Sequence, residues 1–209
     1  MEKSEKLNDQ RKQKLGGEEL QKLNDEVQRA IEVVKRGGII LYPTDTVWGI
    51  GCDASNPEAV KRVFEIKQRA DNKALIVLVG SANDVAKYVQ EMPDVAYDLI
   101  EFSERPLTIV YDKGFGLAPA LLGEDGSVGI RVTSEEFSAT LCRKLRRPLV
   151  STSANISGQP APAIFSEISE EILNAVDYVV DYRRNDTSKS QPSTVMKLST
   201  GGVFTILRP

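Results

Sequence analysis

The sequence predicts an α/β fold: one domain built on a twisted, mixed sheet flanked by helices. Three observations predict it. Apolar runs of strand length, such as IILYP at 39–43 and ALIVLVG at 74–80, alternate with stretches of helical period. Several of these runs are continuously apolar, as strands covered on both faces are. The last two, STVMKL at 193–198 and GVFTIL at 202–207, meet at Ser199-Thr200-Gly201-Gly202, a turn that joins antiparallel neighbours, so the sheet is mixed.

Residues 1–24 are dense in Lys, Glu, Gln and Asn around a Gly16-Gly17 break and predict a charged tail or loosely packed helix, leaving 25–209 as the folded domain. Val27, Ala30, Ile31 and Val34 fall on one helical face, and Gly37-Gly38 ends that helix before the strand at 39–43. Asn56 is an N-cap with Pro57 at the first helical position, and Val60, Val63 and Phe64 carry the stripe on to Lys67. After the strand at 74–80, Ser81 with Asp84 opens a helix that turns Val85, Tyr88 and Val89 inward. Further strands are expected at 107–111, 127–132, 149–152 and 177–182, and helices near Ser134–Arg146 and Ser166–Asn174. RRNDTSKSQPS, at 183–193, is the clear polar loop.

Composition removes whole classes of chemistry. The chain has no histidine, and Cys52 and Cys142 stand alone without a CxxC. Ser-His-Asp and Cys-His catalysis, histidine-ligated metals and a disulfide framework are excluded, which leaves positioning, electrostatics and oxygen-bound ions. A net charge of −3 argues against general nucleic-acid affinity, so any polyanion site is local. No run approaches the ~20 apolar residues of a membrane span. The acidic, polar N-terminus resembles neither a signal nor a transit peptide, and a cytoplasmic address with no membrane partner is the expectation.

Several stretches remain that could carry function. Gly49-Ile50-Gly51-Cys52-Asp53-Ala54 fits GxGxxA, but five residues separate it from the preceding strand and the helix waits until Pro57, which disfavours a dinucleotide fold; a Walker A sequence is absent. Lys67-Gln68-Arg69, with Lys73 beyond, is either a set of cations complementing a helix end or a set of phosphate donors. Ser151-Thr152-Ser153-Ala154-Asn155-Ile156-Ser157-Gly158 follows a strand and is either a turn or an array of donors aimed at phosphate or sugar oxygens. Arg131 and Arg208 end strands, and Ser193-Thr194 opens one; each could equally be a solvent-facing edge group. Cys142–Arg147 is a solvated basic face. YPTDTVWGIG, residues 42–51, leaves a buried strand with two threonines, an acid, the sole tryptophan and two glycines: a cavity wall, or a hairpin-like turn with Trp48 as filler.

Taken in order, YPTDTVWGIG, KQR, VGIRV, STSANISG, STV and the terminal ILRP resemble the YrdC-like family of threonylcarbamoyl-AMP synthases across residues 25–209. The chain departs from the family pattern at Ala70, often Pro; at Thr152, before SAN; and at Asp45, often Glu. The resemblance implies a YrdC-like sheet around a deep positive cavity. The implied reaction condenses L-threonine, bicarbonate or carbon dioxide, and ATP into threonylcarbamoyl-adenylate and pyrophosphate.

The resemblance assigns Thr44, Arg131, Ser151 and Ser193 to threonine. It assigns Lys67, Arg69, Ser127, Ser153, Asn155 and Arg208 to ATP, with Lys67 and Arg69 catalytic and Lys73 assisting with phosphates. Mg2+ would ride on the ATP phosphates with no protein cage. Partner enzymes would pass the threonylcarbamoyl group to tRNA, which the chain itself would touch weakly if at all. Two rivals remain: an RNA-binding module that uses the positive cavity without turnover, and a carbamoyl-adenylate enzyme of the hydrogenase-maturation kind, whose chains carry further segments.

Overall fold

The computed structural model describes residues 16–68, 75–189 and 192–209. In chain order the elements are α1 (Gly17–Lys35), β1 (Ile40–Tyr42), β2 (Gly49–Gly51), α2 (Pro57–Lys67), β3 (Ile76–Val79), α3 (Ala82–Val85), α4 (Val95–Phe102) and β4 (Leu107–Tyr111). They continue with β5 (Val128–Val132), α5 (Glu136–Leu145), β6 (Leu149–Ser153), α6 (Glu170–Ala175), β7 (Tyr178–Val179), β8 (Thr194–Leu198) and β9 (Phe204–Arg208). Among the described residues nine strands join one sheet in the order β7-β1-β2-β6-β3-β5-β4-β8-β9. The β1/β7, β3/β5 and β4/β8 pairs are parallel and the others antiparallel, so the sheet is mixed as expected, and β8/β9 is the anticipated hairpin.

Local chemistry fixes the ends of the clearest elements. Asn56 accepts hydrogen bonds from the backbone N–H groups of Glu58 and Ala59, Pro57 gives up no needed donor at the first position, and Gln68 closes α2 at φ 48°. Gly37, at φ 80°, and Gly38 turn the chain from α1 into β1; a Cβ at Gly38 would press on Val33. α1 starts at Gly17, ahead of the expected boundary near residue 24. Leu20 and Leu23 extend the buried face of Val27, Ala30, Ile31 and Val34, so residues 17–24 belong to the folded body. The expected helix after Ser81 is a single turn, after which Val89 bridges Gly114 across a short antiparallel contact. The strand expected at 177–182 pairs only at Tyr178–Val179.

The sheet carries a core on each face. On one side Leu41, Ile50, Val77, Ile109, Ile130, Val150, Met196 and Leu198 meet Ala59, Val60, Val63 and Phe64 of α2 and Ala96 of α4. On the other, α1 and α5 pack on Ile40, Tyr42, Leu78 and Leu149. Further across that second face the in-register row of Arg131, Thr108 and Val195 continues, with Ile76 and Ser151 beside it. Ile76, Val110 and Val195 there are only partly covered. β9 forms the outer edge: Phe204, Ile206 and Leu207 are 55%, 56% and 58% exposed.

Candidate active site on the partly covered sheet face

Residues 43–48 form a strap between β1 and β2, held by its own hydroxyls. Thr44 Oγ1 donates to the Val47 carbonyl at 2.7 Å, accepts from the Thr46 N–H at 3.1 Å and lies 3.1 Å from Thr46 Oγ1. Trp48 is buried against Phe165, ring centroids 4.9 Å apart, and the Arg184 guanidinium sits 5.0 Å from the Phe165 centroid. Both sequence alternatives for YPTDTVWGIG are thus partly realised, since the strap closes an antiparallel pair and also lines a cleft.

The two glycines meet different surroundings. A Cβ on Gly51 would collide with the Val150 carbonyl and come within 2.7 Å of the Tyr42 ring, so Gly51 serves strand packing. A Cβ on Gly49 would lie 3.2 Å from Thr44 Cγ2 and 3.3 Å from Ser151 Oγ, which brings those two predicted threonine groups to one spot.

The loop after β6 is organised by Lys67, the last residue of α2. Its side chain is 2% exposed. Nζ donates to the Ser153 and Asn155 carbonyls at 2.5 Å each and to Asn155 Oδ1 at 2.9 Å, with Ser153 Oγ 3.4 Å away. Ser153 Oγ donates to Asn155 Oδ1 at 2.5 Å, and Asn155 Nδ2 donates to the Gln159 carbonyl at 2.6 Å. Lys67, Ser153 and Asn155 are brought together, and the described contacts of the ammonium go to loop oxygens and hold the loop in shape. Arg69 and Lys73 lie outside the described residues.

A second cluster forms around Arg131, on β5. Its Nη2 lies 3.1 Å from Asp45 Oδ1 and donates to Thr46 Oγ1 at 3.4 Å. The two charged side chains are 3% and 7% exposed, and Arg131 Nε is buried without a partner. Thr108, the cross-strand neighbour of Arg131, has its Oγ1 2.9 Å from Ser193 Oγ. Arg208 donates to the Ser193 carbonyl at 2.9 and 3.1 Å and to Ser193 Oγ at 3.2 Å. Predicted threonine and ATP groups therefore touch at Ser193. Ser127 precedes β5 in a turn where its N–H donates to Asp125 Oδ1 at 3.0 Å, and this contact engages none of the other candidates.

Beyond the strap a shallow cleft, with a volume of about 20 Å³, is lined by Thr44, Thr46, Trp48, Arg183, Asp186 and Ser188, among others; it is far narrower than the deep cavity the resemblance implies. The last three come from the polar loop, whose composition was the visible signal of a special segment. Arg183 bridges Glu135 at 3.2 Å and Asp186 at 2.6 Å. That contact, aided by Ser188, holds the Asp186 carboxyl down at about 2, whereas burial pushes Glu135 up. Among the described residues no group of three Asp, Glu, Cys or His side chains is placed to hold a metal ion.

A mixed α/β sheet with arginines and hydroxyls on one partly covered face, and an ordered Ser/Asn loop at the end of its β6 strand, is the architecture of a ligand-binding α/β domain. The family model Sua5_yciO_yrdC, described as "Telomere recombination", matches residues 32–209, and the chain belongs to that family. It is 33% identical over 181 residues to a threonylcarbamoyl-AMP synthase of Pseudoalteromonas translucida, covering 85% of this chain and 96% of the relative. It is 36% identical over 187 residues to a putative threonylcarbamoyl-AMP synthase of Methanocaldococcus jannaschii, covering 87% and 86%. Among solved structures it resembles P. abyssi Sua5 complexed with L-threonine, with a TM-score of 0.77 and 29% identity, over 88% of this chain and 53% of that one. It also resembles E. coli YciO, with a TM-score of 0.74 and 25% identity, over 87% of each chain. The chain thus spans about half the length of the P. abyssi protein.

Proposed function

We infer that this chain is a threonylcarbamoyl-AMP synthase, which condenses L-threonine, bicarbonate or carbon dioxide, and ATP to threonylcarbamoyl-adenylate and pyrophosphate. The observation that carries this reading is the buried Arg131 guanidinium beneath the strap. It has an Nε without a partner, and hydroxyls stand on the elements around it. A small amino acid has one carboxylate to match to a fixed arginine fork, and one amine and one hydroxyl to match to alcohols such as Thr44, Ser151 and Ser193. The relatives' names and the threonine-bound structure of P. abyssi Sua5 support the same substrate.

The chemistry needs no histidine. The neutral amine of threonine adds to carbon dioxide and loses a proton, giving a carbamate. A carbamate oxygen then attacks the α-phosphorus of ATP as the bond to the β-phosphate oxygen breaks, and pyrophosphate departs. The chain's part is alignment and charge neutralisation. Arg131, Thr44, Ser151 and Ser193 hold threonine. Ser153, Asn155, Ser127 and Arg208 hold ATP with Arg69, and Lys67 keeps the Ser153–Asn155 loop in its shape. ATP would enter as its magnesium complex, the metal carried by phosphate oxygens and water.

The adenylate is a mixed anhydride suited to consumption by a transfer enzyme that acts on tRNA, with little direct tRNA contact by this chain. No described helix is long and apolar enough to cross a membrane, and a cytoplasmic address fits this reaction. Purified protein given magnesium, ATP, bicarbonate and L-threonine is expected to release pyrophosphate and to yield the adenylate by mass spectrometry. Release that persists without bicarbonate or without threonine would overturn the assignment.

A further inference from the structure

The strap joins β1 to β2, yet its Asp45 meets an arginine on β5, and β6 and β3 stand between β2 and β5. At about 4.8 Å per strand step, strap and arginine together bridge ~14 Å of sheet. A buried ion pair marks the far end of that bridge: Asp45 Oδ1 to Arg131 Nη2, 3.1 Å, with side chains 7% and 3% exposed. Thr46 Oγ1 takes the same Nη2 at 3.4 Å, and Thr46 in turn touches Thr44.

We propose that Asp45 is a positioning residue for the amino-acid substrate. It clamps the Arg131 guanidinium through Nη2, keeps Nε turned to a substrate carboxylate, and carries the Thr44 hydroxyl to the same ligand. The inference rests on the assignment of Arg131 to the threonine carboxylate. Its physical basis is the donor count. A guanidinium has five N–H donors in a fixed fork, and a carboxylate can take it two at a time at the Nη1/Nη2 end or at the edge that includes Nε. Here the described contacts fall on Nη2, a hydrogen bond to Thr46 Oγ1 and an ion-pair contact with Asp45 Oδ1, which like the buried Arg131 Nε has no hydrogen-bond partner, so Asp45 acts on the guanidinium through charge at 3.1 Å. A guanidinium this deep without an anion would rotate toward water, so the acid fixes the direction of the fork.

Charge alone argues the other way, which makes the test sharp. Removing the negative charge of Asp45 would strengthen the attraction of Arg131 for an incoming carboxylate if the arginine stayed in place. Weaker threonine binding in Asp45→Asn therefore reports lost orientation, and tighter binding would overturn the proposal.

The experiment measures threonine Kd by titration calorimetry, and KM for threonine and ATP by pyrophosphate release, in the wild type, Asp45→Asn, Asp45→Glu and Thr46→Val. Asp45→Asn is expected to raise threonine Kd and KM about tenfold or more while ATP KM stays within about twofold; Asp45→Glu, which keeps the charge, returns threonine affinity to within about threefold of wild type. Thr46→Val, which leaves the ion pair intact, raises threonine KM about threefold, and it replaces Asp45→Asn if that variant does not fold. Unchanged threonine affinity in the variant used, or an equal rise in ATP KM, overturns the clamp. A wild type that binds threonine without pyrophosphate release defeats the enzymatic reading, and Kd still decides the clamp. A wild type that binds no threonine defeats both.

Discussion

Replacing Lys67 with methionine keeps most of the length and volume of the side chain while removing its charge and its donors. In the structure that ammonium serves the Ser153 carbonyl, the Asn155 carbonyl and Asn155 Oδ1 within 2.5–2.9 Å, in a setting where the lysine is 2% exposed. A buried acceptor left without its donor costs about 1–3 kcal/mol. The three are not additive, because the loop can turn some oxygens to water, and a net loss of about 3 kcal/mol is the expectation. For a domain of this size each kcal/mol moves Tm by about 2–4 °C, which gives a fall of about 6–12 °C. On the proposed assignment of Ser153 and Asn155 to ATP, catalysis is expected to drop ~100- to 1000-fold as the loop loses its arrangement. Thermal melts followed by circular dichroism, paired with pyrophosphate release, read both quantities. A Lys67→Met protein that melts within about 2 °C of wild type would refute the idea that this ammonium holds the loop.

Gly51→Ala drives a Cβ into the Val150 carbonyl and the Tyr42 ring, and is expected to cost about 3 kcal/mol or more in urea unfolding, with Gly49→Ala milder because its nearest neighbours are side-chain atoms. Trp48→Ala removes the buried ring that packs on Phe165 and is expected to destabilise by about 3–5 kcal/mol, read from the same urea curves. Asp177 ion-pairs with Arg62 and accepts the Ile39 N–H at 2.7 Å, and these contacts lower its pKa. Its contribution is therefore complete above the ordinary aspartate value of about 3.9 and fades as pH falls through the lowered folded value. Asp177→Asn should melt lower than wild type at neutral pH, and the gap should narrow below about pH 4; a gap that does not depend on pH would contradict this.

What the sequence disclosed depended on how local the cause was. α2 could be bounded from Asn56, Pro57 and its apolar stripe because capping and periodicity act within one turn. β4 could be read because LTIVY states its own strand preference. β2 could not, since two of its three residues are glycine and its pairing comes from β1 and β6. α4 escaped notice because Asp94 makes no side-chain cap bond there, and the helix leans on the burial of Ala96 and the packing of Leu99 and Ile100. In the site, the alcohols and cations could be nominated one by one, but the Asp45–Arg131 pair joins distant stretches of chain. Likewise the engagement of Lys67 by loop oxygens depends on the end of α2 lying beside the loop after β6, where Ser157 N–H also donates to the Lys67 carbonyl, and no short window of sequence encodes that.

The exposed rim strand gives the site two mechanical halves. Arg131 sits well inside the sheet and is locked by an acid, whereas Arg208 rides on β9, which has a single neighbouring strand and an irregularity where Val195 meets Met196. Ladders at such a margin open more readily than those at the centre. On the proposed assignments the Arg131 end of the site is therefore a fixed jaw and the Arg208 end a sprung one, while the Ser153–Asn155 loop held by Lys67 gives the nucleotide a second fixed point.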